Sequence, residues 1–161
     1  MAWVITSPVI GAQRIADTST TQNFPLGFIV QAKDPTYGSG EFIYLKGIGS
    51  TAVGSWVTYN VANGTTALLA PNAIGAVAVA MSANVADQYG WYQISGDATA
   101  SAADVADSGK VYIDTAAGKC DDAAVTGDRV NNAKWTSDDA TTGLARVYLS
   151  RPFVTDQKDA T

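Results

Sequence analysis

The chain of 161 residues contains no histidine and only one cysteine, Cys120. Without histidine, the commonest general base and a common zinc ligand are missing, and a nucleophilic serine or cysteine lacks its usual partner. A single cysteine cannot form an intramolecular disulfide, so folding does not depend on an oxidising compartment. We therefore expect a protein that is not an enzyme, needs no cofactor or metal, and folds in a reducing cytosol.

Charge is also scarce and unevenly placed. Ten basic and fifteen acidic residues give a net charge of -5, which disfavours binding to nucleic acid or to anionic membranes. Residues 47–86 carry no charged side chain, yet they are too rich in Gly, Asn, Ser and Thr for a membrane helix. The start lacks the basic region of a signal peptide and contains Pro8, so we expect neither a signal peptide nor a transmembrane span.

Short stretches of alternating side chains predict an all-β fold. Residues 56–61 and 76–81 alternate with the period of a pleated strand, and turn residues recur every 8 to 12 positions. Residues 41–46 and 88–94 carry large apolar groups on both faces, so we expect both faces of these strands to be covered. The pattern predicts a single compact domain of short antiparallel strands, arranged as a sandwich, a jelly roll or a tulip-like open barrel.

The same patterns divide the chain into three parts. We expect an extended N-terminal arm over residues 1–24, a β-domain over 25–154 and a flexible C-terminal tail over 155–161. Within the domain, Asn63 and Gly64 predict a two-residue hairpin turn, and residues 101–109 predict at most two helical turns.

A face made only of alanine predicts close approach of another backbone. Ala76, Ala78 and Ala80 form such a face, and we expect it to be a seam between subunits of a homo-oligomer.

Several motifs that can carry chemistry have simpler explanations. Cys120 is expected to be an incidental thiol, because the two carboxylates that follow it oppose the effect of Lys119 on its pKa and no histidine is present to activate it. The glycines of residues 47–52 match a relaxed dinucleotide fingerprint, but β-branched and aromatic residues follow them where a helix is required. The acidic pairs Asp121-Asp122, Asp138-Asp139 and Asp104/Asp107 lack calcium-loop spacing and are interpreted as turn residues.

Three aromatic residues leave two interpretations open. Trp91, Tyr92 and Trp135 are expected to be buried in the core or at an interface, because aromatic side chains dominate core energetics. Alternatively, they form a platform on which sugars stack, which would indicate a carbohydrate-binding or adhesion β-sandwich module on a virion or cell surface.

Three passages resemble the head decoration, or cement, proteins of tailed bacteriophages, and the likeness spans about residues 26–150. These passages are Asp34-Pro-Thr-Tyr-Gly-Ser-Gly-Glu-Phe-Ile-Tyr-Leu-Lys46, Gly75-Ala-Val-Ala-Val-Ala-Met-Ser-Ala83 and Gln88-Tyr-Gly-Trp-Tyr-Gln-Ile-Ser-Gly-Asp97. The resemblance implies a glycine-punctuated β-domain behind an N-terminal arm, made in the host cytoplasm and placed on the outer surface of the capsid.

Membership of that family implies that the partner is the major capsid protein and that trimers are the favoured oligomer. The resemblance carries over no individual contact residue. As a hypothesis for the region, we expect the apolar residues of the arm to contact the capsid: Trp3, Val4, Ile5, Pro8 and Ile10.

Overall fold

The computed structural model describes residues 1–106, 108–138 and 142–157, and these residues form strands and loops without any helix. The predicted all-β class is confirmed. None of the described residues belongs to a helix that could span a membrane. The strands are β1 (Val4–Ile5), β2 (Ile29–Asp34), β3 (Gly38–Lys46), β4 (Trp56–Tyr59), β5 (Thr66–Leu68), β6 (Gly75–Ala80), β7 (Tyr89–Ser101), β8 (Lys110–Ile113), β9 (Cys120–Asp121), β10 (Arg129–Trp135) and β11 (Leu144–Val154).

All strand pairs within these ranges are antiparallel and belong to one open sheet. Its order is β1-β2-β3-β7-β6-β11-β10-β8-β9, with β4 attached to β6 and β5 attached to β4. The long strand β7 changes partners along its length: its first half pairs with β3, and its second half pairs with β11, from Ser95↔Ser150 to Ser101↔Leu144. This exchange lets one sheet fold into packed layers, which is compatible with a compact β-sandwich.

Strand β3 is buried on both faces, as the sequence predicts. Phe42 and Tyr44 pack with Trp91 in one cluster, whereas Ile43 and Leu45 belong to another. The first half of β7 alternates in the same way, with Trp91 on one side and Tyr92 and Ile94 on the other. Both strands therefore form the middle layer of the domain.

A third cluster fills the other half of the domain. Its central contact is the edge-to-face pair of Trp56 and Trp135, whose ring centroids lie 5.9 Å apart. Side chains from β6, β7, β8, β10 and β11 surround this pair. Edge-to-face aromatic pairs add to the stabilisation that burial alone provides.

The N-terminal segment, residues 1–24, lies across the Phe42 face of the middle layer. Val4 and Ile5 pair with Lys33 and Ala32 of β2, so the segment begins as an edge strand. Farther along it, Ile15 is buried. The segment thus covers an aromatic face that would otherwise stand in water.

The connection between β4 and β5 differs from the predicted two-residue turn. The two strands are joined by residues 60–65, in which Gly64 N donates to Asn60 O at 2.8 Å and Asn60 N donates to Thr65 O at 2.9 Å. Only Gly64 has a positive φ, of 69°, whereas the predicted turn needs positive φ at Asn63 as well. The prediction of the strands was right and that of the turn type was wrong.

The predicted helical turns near Ser101 are also wrong. Ser101 ends β7, Ala102 N donates to Gly143 O at 2.9 Å and Ala103 N donates to Cys120 O at 3.0 Å. These backbone donors are used between distant segments and are not available for helical bonds. Asp107 lies outside the described residues. Of the predicted flexible tail, residues 155–157 are described and form no strand, and residues 158–161 lie outside the described residues.

The loop after β6 fits tightly against Gly47. A Cβ atom at Gly47 would lie 1.9 Å from Asn84 O and 2.7 Å from Val85 O, both of which are backbone atoms. By contrast, a Cβ at Gly49 would meet nothing within 4 Å.

We predict that Gly47→Ala lowers the free energy of unfolding by about 3 kcal/mol, because the loop must shift to admit the methyl group. Gly49→Ala, two positions away, serves as the matched control and is expected to change stability by less than about 0.5 kcal/mol. Urea unfolding of both variants measures the difference, and equal stabilities would contradict this packing.

Candidate functional site

The side chain of Gln13 holds the N-terminal segment to the middle layer. Its Nε2 donates to the carbonyl oxygens of Asp17, at 2.8 Å, and Tyr89, at 3.1 Å. Its Oε1 accepts hydrogen bonds from Tyr44 Oη and Asn23 Nδ2, each at 3.0 Å. One amide side chain therefore connects two parts of the segment with β3 and β7.

Backbone groups of the segment add further bonds to β7. The indole Nε1 of Trp91 donates to Gln13 O at 2.8 Å. Ser19 and Tyr89 exchange two backbone hydrogen bonds, of 2.8 and 3.0 Å. These contacts fix the segment over the aromatic face.

Asp34 fixes the beginning of the segment. Its carboxylate, which is 2% exposed, accepts hydrogen bonds from the backbone N–H groups of Ala2, Thr36 and Tyr37 at 2.6, 2.7 and 3.1 Å. Burial acts to raise the pKa of Asp34, but these hydrogen bonds outweigh it and hold the pKa below its ordinary value. The carboxylate has a structural role in which all its partners belong to the backbone.

Trp3 packs on the domain and belongs to the cover of the aromatic face. Its ring meets Phe42 edge to face at 4.9 Å and stacks on Tyr37 at 6.0 Å. The guanidinium of Arg146 also packs on Tyr37, 4.9 Å from the ring centroid. Arg146 forms an ion pair with Asp97.

The predicted contact residues of the arm fall into two groups. Trp3 and Ile5 are half-buried against the domain, so they anchor the segment to its own chain. Val4 is 66% exposed and Ile10 is fully exposed, and Pro8 also faces solvent. Only the second group is accessible to another protein.

A groove of about 660 Å³ lies between residues 1–5 and residues 9–17. Apolar side chains, among them Val4, Val9 and Ile15, line most of it, and Arg14 and Asp17 are its charged residues. Within the described chain β1 pairs only with β2, so its other edge is open. The groove and the open strand edge together form a concave, largely apolar surface that a protein segment could contact.

The predicted alanine seam requires a correction. Ala78 and Ala80 are 0% and 1% exposed, because Leu45, Val57 and Tyr92 of the same chain cover them. They are therefore not accessible to a second subunit. Ala76, at the end of the row, remains half-exposed.

The three aromatic residues considered as a sugar platform are buried. Trp91, Tyr92 and Trp135 are each 0% exposed, which confirms the interpretation as core residues. The indole of Trp135 donates to Asp121 O at 3.0 Å. No ring face of these residues is open to a ligand.

The other chemical motifs do not assemble into a site. No group of three metal-ligating side chains occurs within the ranges that the structure describes, and Asp107 and Asp139 lie outside those ranges. The glycines of residues 47–52 follow β3 in a loop that leads to β4, without a helix. Cys120 is fully buried; burial raises the pKa of its thiol well above the usual value, and the carboxylates of Asp121 and Asp114 raise it further.

Sequence reasoning missed Gln13 and Asp34, which fix the segment. Both stand among polar or turn residues, where nothing in the local pattern distinguishes a buried partner from a solvated side chain. The only available signal was the double-faced pattern of residues 41–46, which requires that some segment cover the aromatic face.

No protein-family model, curated protein or solved structure matches the chain.

We predict that Gln13→Ala lowers the free energy of unfolding by about 2 kcal/mol, because the buried hydroxyl of Tyr44 loses the acceptor of its hydrogen bond and the segment loses the other three bonds of the Gln13 side chain. Gln22→Ala is the matched control, since exposed Gln22 donates only one hydrogen bond, to Phe24 O at 3.0 Å. Chemical denaturation followed by tryptophan fluorescence measures both changes. A smaller effect for Gln13→Ala than for Gln22→Ala would contradict the role assigned to Gln13.

We also predict that Cys120 is unreactive in the folded protein. A buried thiol with a raised pKa forms little thiolate at neutral pH, and a reagent cannot reach it. Labelling with an aromatic disulfide reagent is expected to be at least ~100-fold slower in buffer than in 8 M urea, by the protection that folding gives to core groups. Equal rates would show that the thiol is accessible.

Proposed function

We propose that this chain is a non-enzymatic structural protein of a virion, which decorates the outside of a phage head and stabilises it by bridging subunits of the major capsid protein. One observation carries the proposal. The N-terminal segment is fixed to the domain by Gln13 and Asp34, yet it leaves Ile10 fully exposed, and it leaves Val4, which lines a groove of about 660 Å³, 66% exposed.

Fixed and exposed apolar side chains favour binding to another protein. Exposed apolar groups at or near a groove are typical of interaction sites. Because the segment is already ordered, it loses little conformational freedom when a partner binds, and more of the contact energy becomes affinity.

Charge supports a position on the outer surface of the head. The net charge of -5 repels the phosphate backbone of packaged DNA, whereas it places no such penalty on the exterior. The protein is made in the host cytoplasm, where a single buried cysteine requires no oxidising step.

Bridging explains how many weak contacts stabilise a shell. A homo-oligomer, with a trimer favoured, binds neighbouring capsid subunits with a raised effective concentration once its first contact has formed. Such a role needs no catalytic group, which fits a chain without histidine and with a buried thiol. A carbohydrate-binding module is the weaker alternative, because Trp91, Tyr92 and Trp135 present no open ring face.

The test is binding to empty heads of the phage that encodes the chain, followed by cryo-electron microscopy. We expect added density on the outer surface of the head, in contact with the N-terminal segment. Ile10→Glu is expected to weaken binding roughly 30-fold, because the burial of one isoleucine contributes about 2 kcal/mol.

Ile48→Glu is the matched control, since Ile48 is exposed at a distance in sequence from the segment and is expected to bind as the wild type does. Density found only on tails, or equal binding of the Ile10→Glu and wild-type proteins, would contradict the proposal.

A further inference from the structure

We propose that a second copy of this chain packs against the exposed end of the β4, β6 and β11 strands. We call this region the Ala76 surface, and it consists of Tyr59, Ile74, Ala76 and Phe153. The inference stands apart from head binding, because the Ala76 surface shares no residue with the N-terminal segment.

Strand register places three of these residues in one row. Tyr59 lies opposite Ala76 in the β4–β6 pair, and Ala76 lies opposite Phe153 in the β6–β11 pair. Directly opposite residues of antiparallel strands point to the same face of a sheet. The small side chain of Ala76 therefore leaves a depression between two aromatic rings, and Phe153 is 40% exposed.

Ile74 lies next to this row and is 72% exposed. It lines a shallow groove of about 290 Å³ together with Tyr59 and Thr66. All the other residues that line the groove are uncharged: Thr58, Asn60, Thr65 and Ala67. A projecting apolar side chain thus borders an uncharged groove, in which residues with hydroxyl or amide groups outnumber apolar ones.

The same row is covered by the chain itself one step farther in. Val57 and Ala78 face each other across β4 and β6, and both are 0% exposed inside the cluster that also contains Ile43 and Leu45. Tyr59 only packs partly against that cluster. The apolar face of β4 and β6 therefore extends past the buried pair and is partly exposed to solvent at Tyr59 and Ala76.

Charge identifies a second copy as the partner. Each copy carries a net charge of -5, so copies repel one another except where their surfaces are uncharged. Residues 47–86 have no charged side chain, and they supply three of the four residues of the Ala76 surface. The positive charge of Arg151 lies close enough to influence Tyr59. The carboxylate of Glu41, 3.4 Å from the Arg151 guanidinium, neutralises that charge.

An uncharged surface is complementary to itself, whereas a strongly charged partner would find no opposite charge on it. The projecting Ile74 suits a head-to-tail contact, in which each copy places this side chain against the Tyr59, Ala76 and Phe153 row of its neighbour, and three such contacts close a trimer. A standard interface takes about 800 Å² from each partner. The chain exposes 7768 Å², so an interface of standard size would cover about a tenth of its surface.

Sedimentation velocity of the purified full chain over a range of concentrations tests the proposal. We expect wild-type protein to self-associate and Ile74→Glu to raise the dissociation constant at least ~30-fold, since each contact then loses one buried isoleucine and gains a charge. Phe153→Glu is the second variant and is expected to act in the same direction. Near-ultraviolet circular dichroism confirms that both variants remain folded.

Ile48→Glu is the matched control, because it makes the same change at an exposed isoleucine outside both the Ala76 surface and the N-terminal segment. It is expected to self-associate as the wild type does. A monomeric wild type, or equal association of the Ile74→Glu and wild-type proteins, would overturn the proposal.

Head binding keeps the two proposals distinguishable. If the Ile74→Glu variant no longer self-associates but still binds heads through its N-terminal segment, both proposals are supported. Normal self-association without head binding counts against the proposed function alone. A monomeric wild type that requires Ile74 for head binding would assign the Ala76 surface to the capsid and overturn the present inference.

Discussion

The structure depends on one constraint: β3 and the first half of β7 carry large apolar side chains on both faces, so both faces must be shielded from water. The β4 and β6 strands shield Ile43 and Leu45. The N-terminal segment shields the opposite face, which Phe42, Tyr44 and Trp91 form. The segment that was predicted as an extended arm thereby contributes to the core, and its position determines which of its own side chains remain exposed.

Within the segment, some apolar residues pack on the domain and others remain exposed, and this difference connects the fold with the proposed function. Alternate residues of a short edge strand point to opposite faces, so Trp3 and Ile5 pack inward while Val4 points outward. Gln13 fixes the loop that follows β1, and Ile10 in this loop is fully exposed to solvent. A partner would meet a prepared apolar surface on an acidic protein, with few charges to desolvate. The Ala76 surface is a second site of the same kind, built from uncharged strands.

Much of the fold could be predicted from side-chain alternation, because period-two patterns depend only on local geometry. The strand expected over residues 76–81 is observed as Gly75–Ala80, and residues 42–45 are buried on both faces. Alternation could not show which distant segment supplies a cover, so the bridge between Ser19 and Tyr89 went unpredicted. For the same reason Ala78 and Ala80 were expected at a subunit seam, although the chain covers them itself. At the candidate site, the apolar residues were predicted but not their division into anchors and exposed contacts.

The central claim is that the N-terminal segment belongs to the core, and hydrogen–deuterium exchange measured by mass spectrometry tests it most directly. The account predicts that the amides of Ser19 and Tyr89, which bond each other, exchange only through an opening nearly as costly as global unfolding. Rapid exchange of residues 13–19 while β3 and β7 stay protected would show a frayed terminus over a wet aromatic face, and would contradict the account.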